Sequence, residues 1–164
     1  MALLVFDSDA LIKLAKISLI QKVAERFECV ISEDVYEEVV VEGKRKGYSD
    51  ALTVEELVKK GLIKVLPVTP DRRALDITTG LGKGERTTLS LFFNVEADFV
   101  VTDDTRFLSR LIRAGVNHLD SATVIVLMFK LGFLTKSEAL RALTSLRPLI
   151  KTDAFMKALK SIKG

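Results

Sequence analysis

The sequence predicts an α/β protein: a mainly parallel central sheet of about five strands, with helices on both faces. Three observations predict it. Short apolar runs of strand length alternate with stretches of helical period along most of the chain. Acidic residues stand directly after the first and fourth of those runs. The 164 residues are 48% apolar and 29% charged, which suits one compact domain able to bury a substantial core.

The elements follow in order. Leu3 to Phe6 read as a strand buried on both faces, because four apolar residues run together. Residues 9–16 and 18–26 read as two short helices with a break near Ser18, and Phe27 to Ile31 as a second strand. Ser32 is placed to cap the next helix, and Glu33 and Asp34 suit its first turn. That helix is expected to run to Lys46 with Val35, Val39 and Tyr36 inward. Gly47 ends it, and a further helix carries Leu52, Val54, Leu57 and Val58 before Gly61. Leu62 to Leu66 form a third strand, stopped by Pro67 and Pro70. A helix starts at Asp71 to Leu75, and Gly80, Gly82 and Gly84 make a loop before the helix Glu85 to Val95. That loop lacks the Gly-Lys-Ser/Thr ending of a phosphate-binding loop. Ala97 to Val101 form the fourth strand, 106–114 a helix closed by Gly115, and Val116 to Leu119 a last short strand. Helices follow at 121–131, 135–145 and 152–162. Thr135 and Glu138 are spaced as a capping box.

Composition excludes several chemistries. A single cysteine, Cys29, rules out an intramolecular disulfide and any Cys-rich zinc site. A single histidine, His118, rules out a zinc site built on several histidines. No apolar stretch is long enough to cross a bilayer, so the expectation is a cytoplasmic protein with no membrane partner. Charge is uneven: residues 130–164 carry a net +6 and residues 1–129 a net −3. That basic segment suits contact with nucleic acid and equally suits a solvated helix face.

In a parallel sheet, every strand end that leads into a helix lies on one edge, where open α/β folds bind ligands. Asp7 and Asp9 follow the first strand there, and Asp103 and Asp104 follow the fourth. Glu38 lies about two turns into the helix after the second strand, and Glu85 opens the helix before the fourth. Singly, each has an ordinary reading as a cap, a first-turn acid or an exposed helix charge. Together, converging carboxylates repel one another unless a cation neutralises them. Oxygen ligands select hard ions such as Mg²⁺ or Mn²⁺, and such a site activates water against a phosphodiester. The chemistry fits a nuclease.

The set and its order resemble the PIN-domain family, the fold of VapC-type toxins and many archaeal ribonuclease-like proteins. Leu4-Val5-Phe6-Asp7-Ser8-Asp9-Ala10-Leu11-Ile12 resembles the family's opening strand, catalytic Asp and following hydroxylated residue. Val35-Tyr36-Glu37-Glu38-Val39 resembles its "Val-x-x-Glu" helix, and Gly82-Lys83-Gly84-Glu85 its "Gly-x-Gly-Glu" form. Thr102-Asp103-Asp104 resembles its "Thr-x-Asp", which favours Asp104 with Asp103 beside it. Asp9 departs from the commoner Asn, and the resemblance spans residues 3 to about 119.

The resemblance implies a three-layer α/β/α sandwich, one PIN-like domain over 1–164 with a core at 1–119 and a helical extension at 120–164. It implies Mg²⁺ or Mn²⁺ on the catalytic acids Asp7, Glu38, Glu85 and Asp104, with Asp103 a further ligand. It places Ser8, Asp9, Thr102 and Arg106 around them or against substrate. RNA is the implied substrate, cut to leave a 3′-hydroxyl, with Lys13, Lys83, Arg106 and Arg110 as candidate phosphate contacts. An antitoxin protein and a second copy of the chain are the implied protein partners. The alternative is a PIN-like module that binds RNA or protein without cutting. A phospho-receiver domain is set aside, because Leu62 to Leu66 ends at Pro67 with no acceptor Asp.

Overall fold

The computed structural model describes residues 1–164. It opens with strand β1 (Leu3–Phe6), helix α1 (Ser8–Lys16) and helix α2 (Ile20–Arg26). Strand β2 (Glu28–Ser32) leads into one continuous helical segment: α3 (Glu33–Tyr36), a π-helical stretch (Glu37–Glu42) and α4 (Gly43–Arg45). Then come α5 (Ser49–Lys59), β3 (Ile63–Leu66), α6 (Arg72–Ile77), α7 (Lys83–Asn94), β4 (Phe99–Val101), α8 (Thr105–Ala114) and β5 (His118–Leu119). Helices α9 (Ser121–Lys130), α10 (Lys136–Leu146) and α11 (Thr152–Lys163) close the chain, with a 3₁₀ turn at Arg147–Leu149.

All five strands are parallel, in the order β3-β2-β1-β4-β5. The chain winds outward from β1 through β2 to β3, then returns to the far side of β1 for β4 and β5. The order therefore reverses between β1 and β4, which opens a crevice at the carboxyl ends of those two strands. Phe6 pairs with Val101, so Asp7 and Thr102 leave the sheet side by side.

Alternation along the strands sorts side chains into two cores. Leu4, Phe6, Cys29, Ile31, Ile63 and Val101 join a large cluster with α1, α2, α5 and all three C-terminal helices. Val5, Val30 and Val100 face the opposite way, onto α6, α7 and α8. The result is a three-layer α/β/α sandwich. Phe155, Ala158 and Ile162 of α11 are buried in the same core as β1, so the last helix packs on its own chain.

Two local expectations are corrected. The helix after β2 is not uniformly α-helical. Its π turn is wider, so Val39 and Val40 both reach the core, and Tyr36 is only half-buried. Leu52 is exposed: the buried stripe of α5 is Asp50, Ala51, Val54 and Leu57, and a residue two before Val54 falls on the opposite side. Met156 likewise faces solvent, one position off the stripe of Phe155, Ala158 and Ile162. Gly43 allows α5 to come close, because a Cβ there would stand 2.8 Å from the Ala51 methyl. His118 is structural, with Nδ1 2.8 Å from the Val116 carbonyl oxygen.

Candidate active site

Asp7 is the first residue past β1 and caps α1 in extended conformation. Its Oδ1 accepts from the Ser8 N–H at 3.0 Å, and its Oδ2 accepts from the Thr102 hydroxyl at 2.8 Å. The side chain is buried. Burial is the main reason that its pKa is pushed up to about 7; the two hydrogen bonds oppose the rise, and the charges of Glu85 and Asp9 add to it. Beside it the Ser8 hydroxyl is buried with no protein partner.

The segment after β4 gives two neighbouring acids different partners. Asp103 is fully engaged: Oδ1 accepts from the Ser121 N–H and Oδ2 from the Ser121 hydroxyl, both at 2.7 Å, and Lys13 Nζ lies 3.2 Å from Oδ2. Asp104 caps α8 through Oδ1, which accepts from the Phe107 N–H at 2.8 Å. No protein donor reaches its other oxygen. Thr102 ties the two strand ends together, because its hydroxyl donates to Asp7 and accepts from the Asp104 N–H at 3.1 Å. Thr102 stood among the candidate residues read from the sequence; Ser121 did not. Its only trace was the polar pair Asp120-Ser121 at the carboxyl end of β5, on the same sheet edge.

Asp9, in the first turn of α1, is the acid where the fields of the others overlap. Partial loss of water is the main cause of its raised pKa; Lys13 opposes the rise, and Glu38, Asp104 and Asp103 reinforce it. Its surface nevertheless remains open to solvent. Glu38 is exposed within the π stretch, and Glu85 is half-buried in the first turn of α7. The Glu85 carboxylate folds back over Gly82, where a Cβ would come within 2.9 Å of Oε2. That is the physical content of the glycine three residues before this acid.

Asp7, Asp9, Glu38, Glu85, Asp103 and Asp104 thus act on one another at a single edge. They do not form a closed cage: no three Asp, Glu, His or Cys side chains converge tightly enough to hold one ion between them. Mg²⁺ keeps several waters and binds through one or two carboxylates, so an open oxygen-only set with a free Asp104 oxygen and an orphaned Ser8 hydroxyl suits it. The candidate phosphate contacts are engaged elsewhere. Arg110 donates to the Ile77 and Thr79 carbonyls at 2.8 Å, Arg106 to that of Gly80 at 3.4 Å, and Lys83 sits 3.5 Å from Asp34.

An all-parallel α/β/α sandwich with carboxylates at its switch point defines an acid-lined α/β domain. The family model that matches, over residues 3–163, is that of DUF3368, a PIN domain, and the chain belongs to this PIN-domain family. PIN domains are in general nucleases. The fold is similar to that in the crystal structure of PAE2754 from Pyrobaculum aerophilum, with a TM-score of 0.52 at 20% identity. The similarity covers 81% of this chain and 98% of that one. No curated protein matches the chain. The match to the family model runs through α9, α10 and α11, beyond the residue 119 at which the sequence motifs end.

Proposed function

We propose that this protein is a metal-dependent ribonuclease that hydrolyses RNA to leave a 3′-hydroxyl. The observation that carries the reading is Asp7: a carboxyl at the β1–β4 crevice, held by Thr102 and Ser8, with its charge destabilised by burial and by Glu85 and Asp9. A cation relieves that cost, and the proton lost from Asp7 makes way for it. Mg²⁺ or Mn²⁺, when bound, supplies neutralisation of phosphodiester charge and a more acidic water. The chain's own groups do the rest. Asp7, Glu38, Glu85 and Asp104 hold the ion, one or two of them directly and the others through its waters, with Asp9 beside them. Thr102 and Ser8 hold Asp7 in place, and Asp103, engaged by Ser121 and Lys13, fixes α1 and α9 against the end of β4.

We further infer that the chain is a toxin whose antitoxin covers the crevice, that it acts in the cytoplasm and that it pairs as a homodimer. No helix is long and apolar enough to cross a membrane. A second reading, a PIN module that binds RNA or protein without cutting, is favoured by one observation: no three carboxylates stand within reach of one ion.

The test is cleavage of an end-labelled single-stranded RNA with Mg²⁺, with Mn²⁺ and with EDTA, run beside Asp7→Asn. Metal-dependent cutting that the variant lacks supports the nuclease. RNA binding by both proteins without cutting supports the binding module instead.

A further inference from the structure

Two buried side-chain oxygens meet no hydrogen-bond partner, the hydroxyls of Ser8 and Thr88. Both stand beside acids of the edge: Ser8 follows Asp7, and Thr88 lies one turn after Glu85 on α7. An unpaired buried hydroxyl is costly, so such a group is kept where a water, an ion or a rearranged neighbour completes it. Threonines in helices and at their ends ordinarily bond a carbonyl of the preceding turn. Thr78 does so on Ala74 at 2.6 Å, Thr87 on Gly84 at 3.2 Å and Thr144 on Leu140 at 2.8 Å. Thr88 does not, although it is fully buried. Its direction follows from its neighbours. Leu89 packs with Val100 of β4, and Leu91 with Val5 of β1 and Val30 of β2. At about 100° per residue Thr88 falls between those two leucines, so it faces β1, the strand between β2 and β4. Glu85 stands on the same side of α7, one turn nearer the edge. Side chains on a helix lean toward its N-terminus, so the Thr88 hydroxyl is aimed at that edge. Asp7 lies there, two residues past Val5 in extended backbone and therefore on the same side of the sheet. The charge of Glu85 is felt at Asp7.

We propose that Thr88 is a positioning residue of the acidic edge, whose hydroxyl donates to the Asp7 carboxylate from beneath when a divalent cation occupies that edge. The two bonds that Asp7 already accepts come from Ser8 and Thr102, and neither comes from α7. Each carboxylate oxygen has a second lone pair, so one is left for the ion and one for the Thr88 hydroxyl. Donors behind a metal-binding carboxylate orient it, and losing one weakens the ion's hold by about 10–100-fold. Valine is β-branched like threonine and fills the same space, so packing alone gives no reason for a hydroxyl here. The inference rests on the metal-dependent reading of this edge and adds to it a residue outside the four acidic motifs.

The test titrates Mn²⁺ into the full chain and reads the free ion by electron paramagnetic resonance. Thermal unfolding in EDTA is measured alongside. Thr88→Val removes the hydroxyl and keeps the shape. It is expected to unfold in EDTA at the wild-type temperature or above, because it removes an unpaired polar group. It is expected to bind Mn²⁺ about tenfold more weakly. Thr88→Ser keeps the hydroxyl and is expected to bind Mn²⁺ as the wild type does, even where loss of the methyl group lowers its unfolding temperature. Wild-type affinity in Thr88→Val overturns the proposal and leaves the metal-dependent reading standing. Affinity as weak in Thr88→Ser as in Thr88→Val does the same, since the methyl group rather than the hydroxyl would then matter. A lower unfolding temperature of Thr88→Val in EDTA also overturns it, because the hydroxyl would then be paired without the ion. Absence of Mn²⁺ binding by the wild type overturns both the proposal and the metal-dependent reading.

Discussion

The Thr102 hydroxyl donates a 2.8 Å hydrogen bond to Asp7 Oδ2, joining the ends of two adjacent strands whose residues lie 95 apart in sequence. That bond lowers the Asp7 pKa, yet burial outweighs it and holds the carboxyl near 7. Above the ordinary carboxylate range the folded protein keeps a proton that the unfolded chain has lost. Stability therefore falls as pH rises from about 4 to about 7, and levels off beyond. Asp7→Asn removes the ionisation. It is expected to stabilise the metal-free protein by about 2–4 kcal/mol at pH 8 and by almost nothing below pH 4. Urea unfolding at several pH values checks this, and an unstable variant at pH 8 refutes it.

Bound Mg²⁺ competes with that proton. Adding the ion in place of EDTA is expected to raise the melting temperature, more at pH 8 than at pH 6. The shift is expected to shrink in Asp7→Asn. A melting temperature indifferent to Mg²⁺ at pH 8 argues that the edge holds no ion.

Gly82 leaves room for the Glu85 carboxylate. Its backbone is ordinary extended conformation, so Gly82→Ala folds, with a stability change within about 0.5 kcal/mol. The added methyl displaces the carboxylate, and RNA cleavage is expected to fall at least tenfold. Paired stability and cleavage measurements separate the two effects.

Asp103 and Asp104 are neighbours with different partners. Asp104→Asn keeps the α8 cap, since Asn caps as well as Asp, and is expected to lose cleavage at nearly unchanged stability. Asp103→Asn presents an amide to Lys13 and the Ser121 hydroxyl and is expected to cost about 1–3 kcal/mol. The reverse pattern would make Asp103 the ligand.

Much of this protein is written locally. Four apolar residues at positions 3–6, the cap at Ser32 and the Thr135–Glu138 capping box announce themselves within a few residues, because burial runs and caps are short-range devices. The acids carry their own signal too: Asp7 ends its strand and Glu85 follows its glycines wherever the chain goes. What the tertiary structure decided depends on distant partners and on side-chain direction. Only the order β3-β2-β1-β4-β5 sets Asp7 beside Thr102. Only the arrival of Ser121 and Lys13 gives both Asp103 oxygens partners while Asp104 keeps a free oxygen. The π turn that sends both Val39 and Val40 inward leaves no mark on an apolar pattern that an α-helix would read as well. A carboxylate's identity is local, but its charge, its free lone pairs and its neighbours are set by whatever the folded chain brings within a few ångströms.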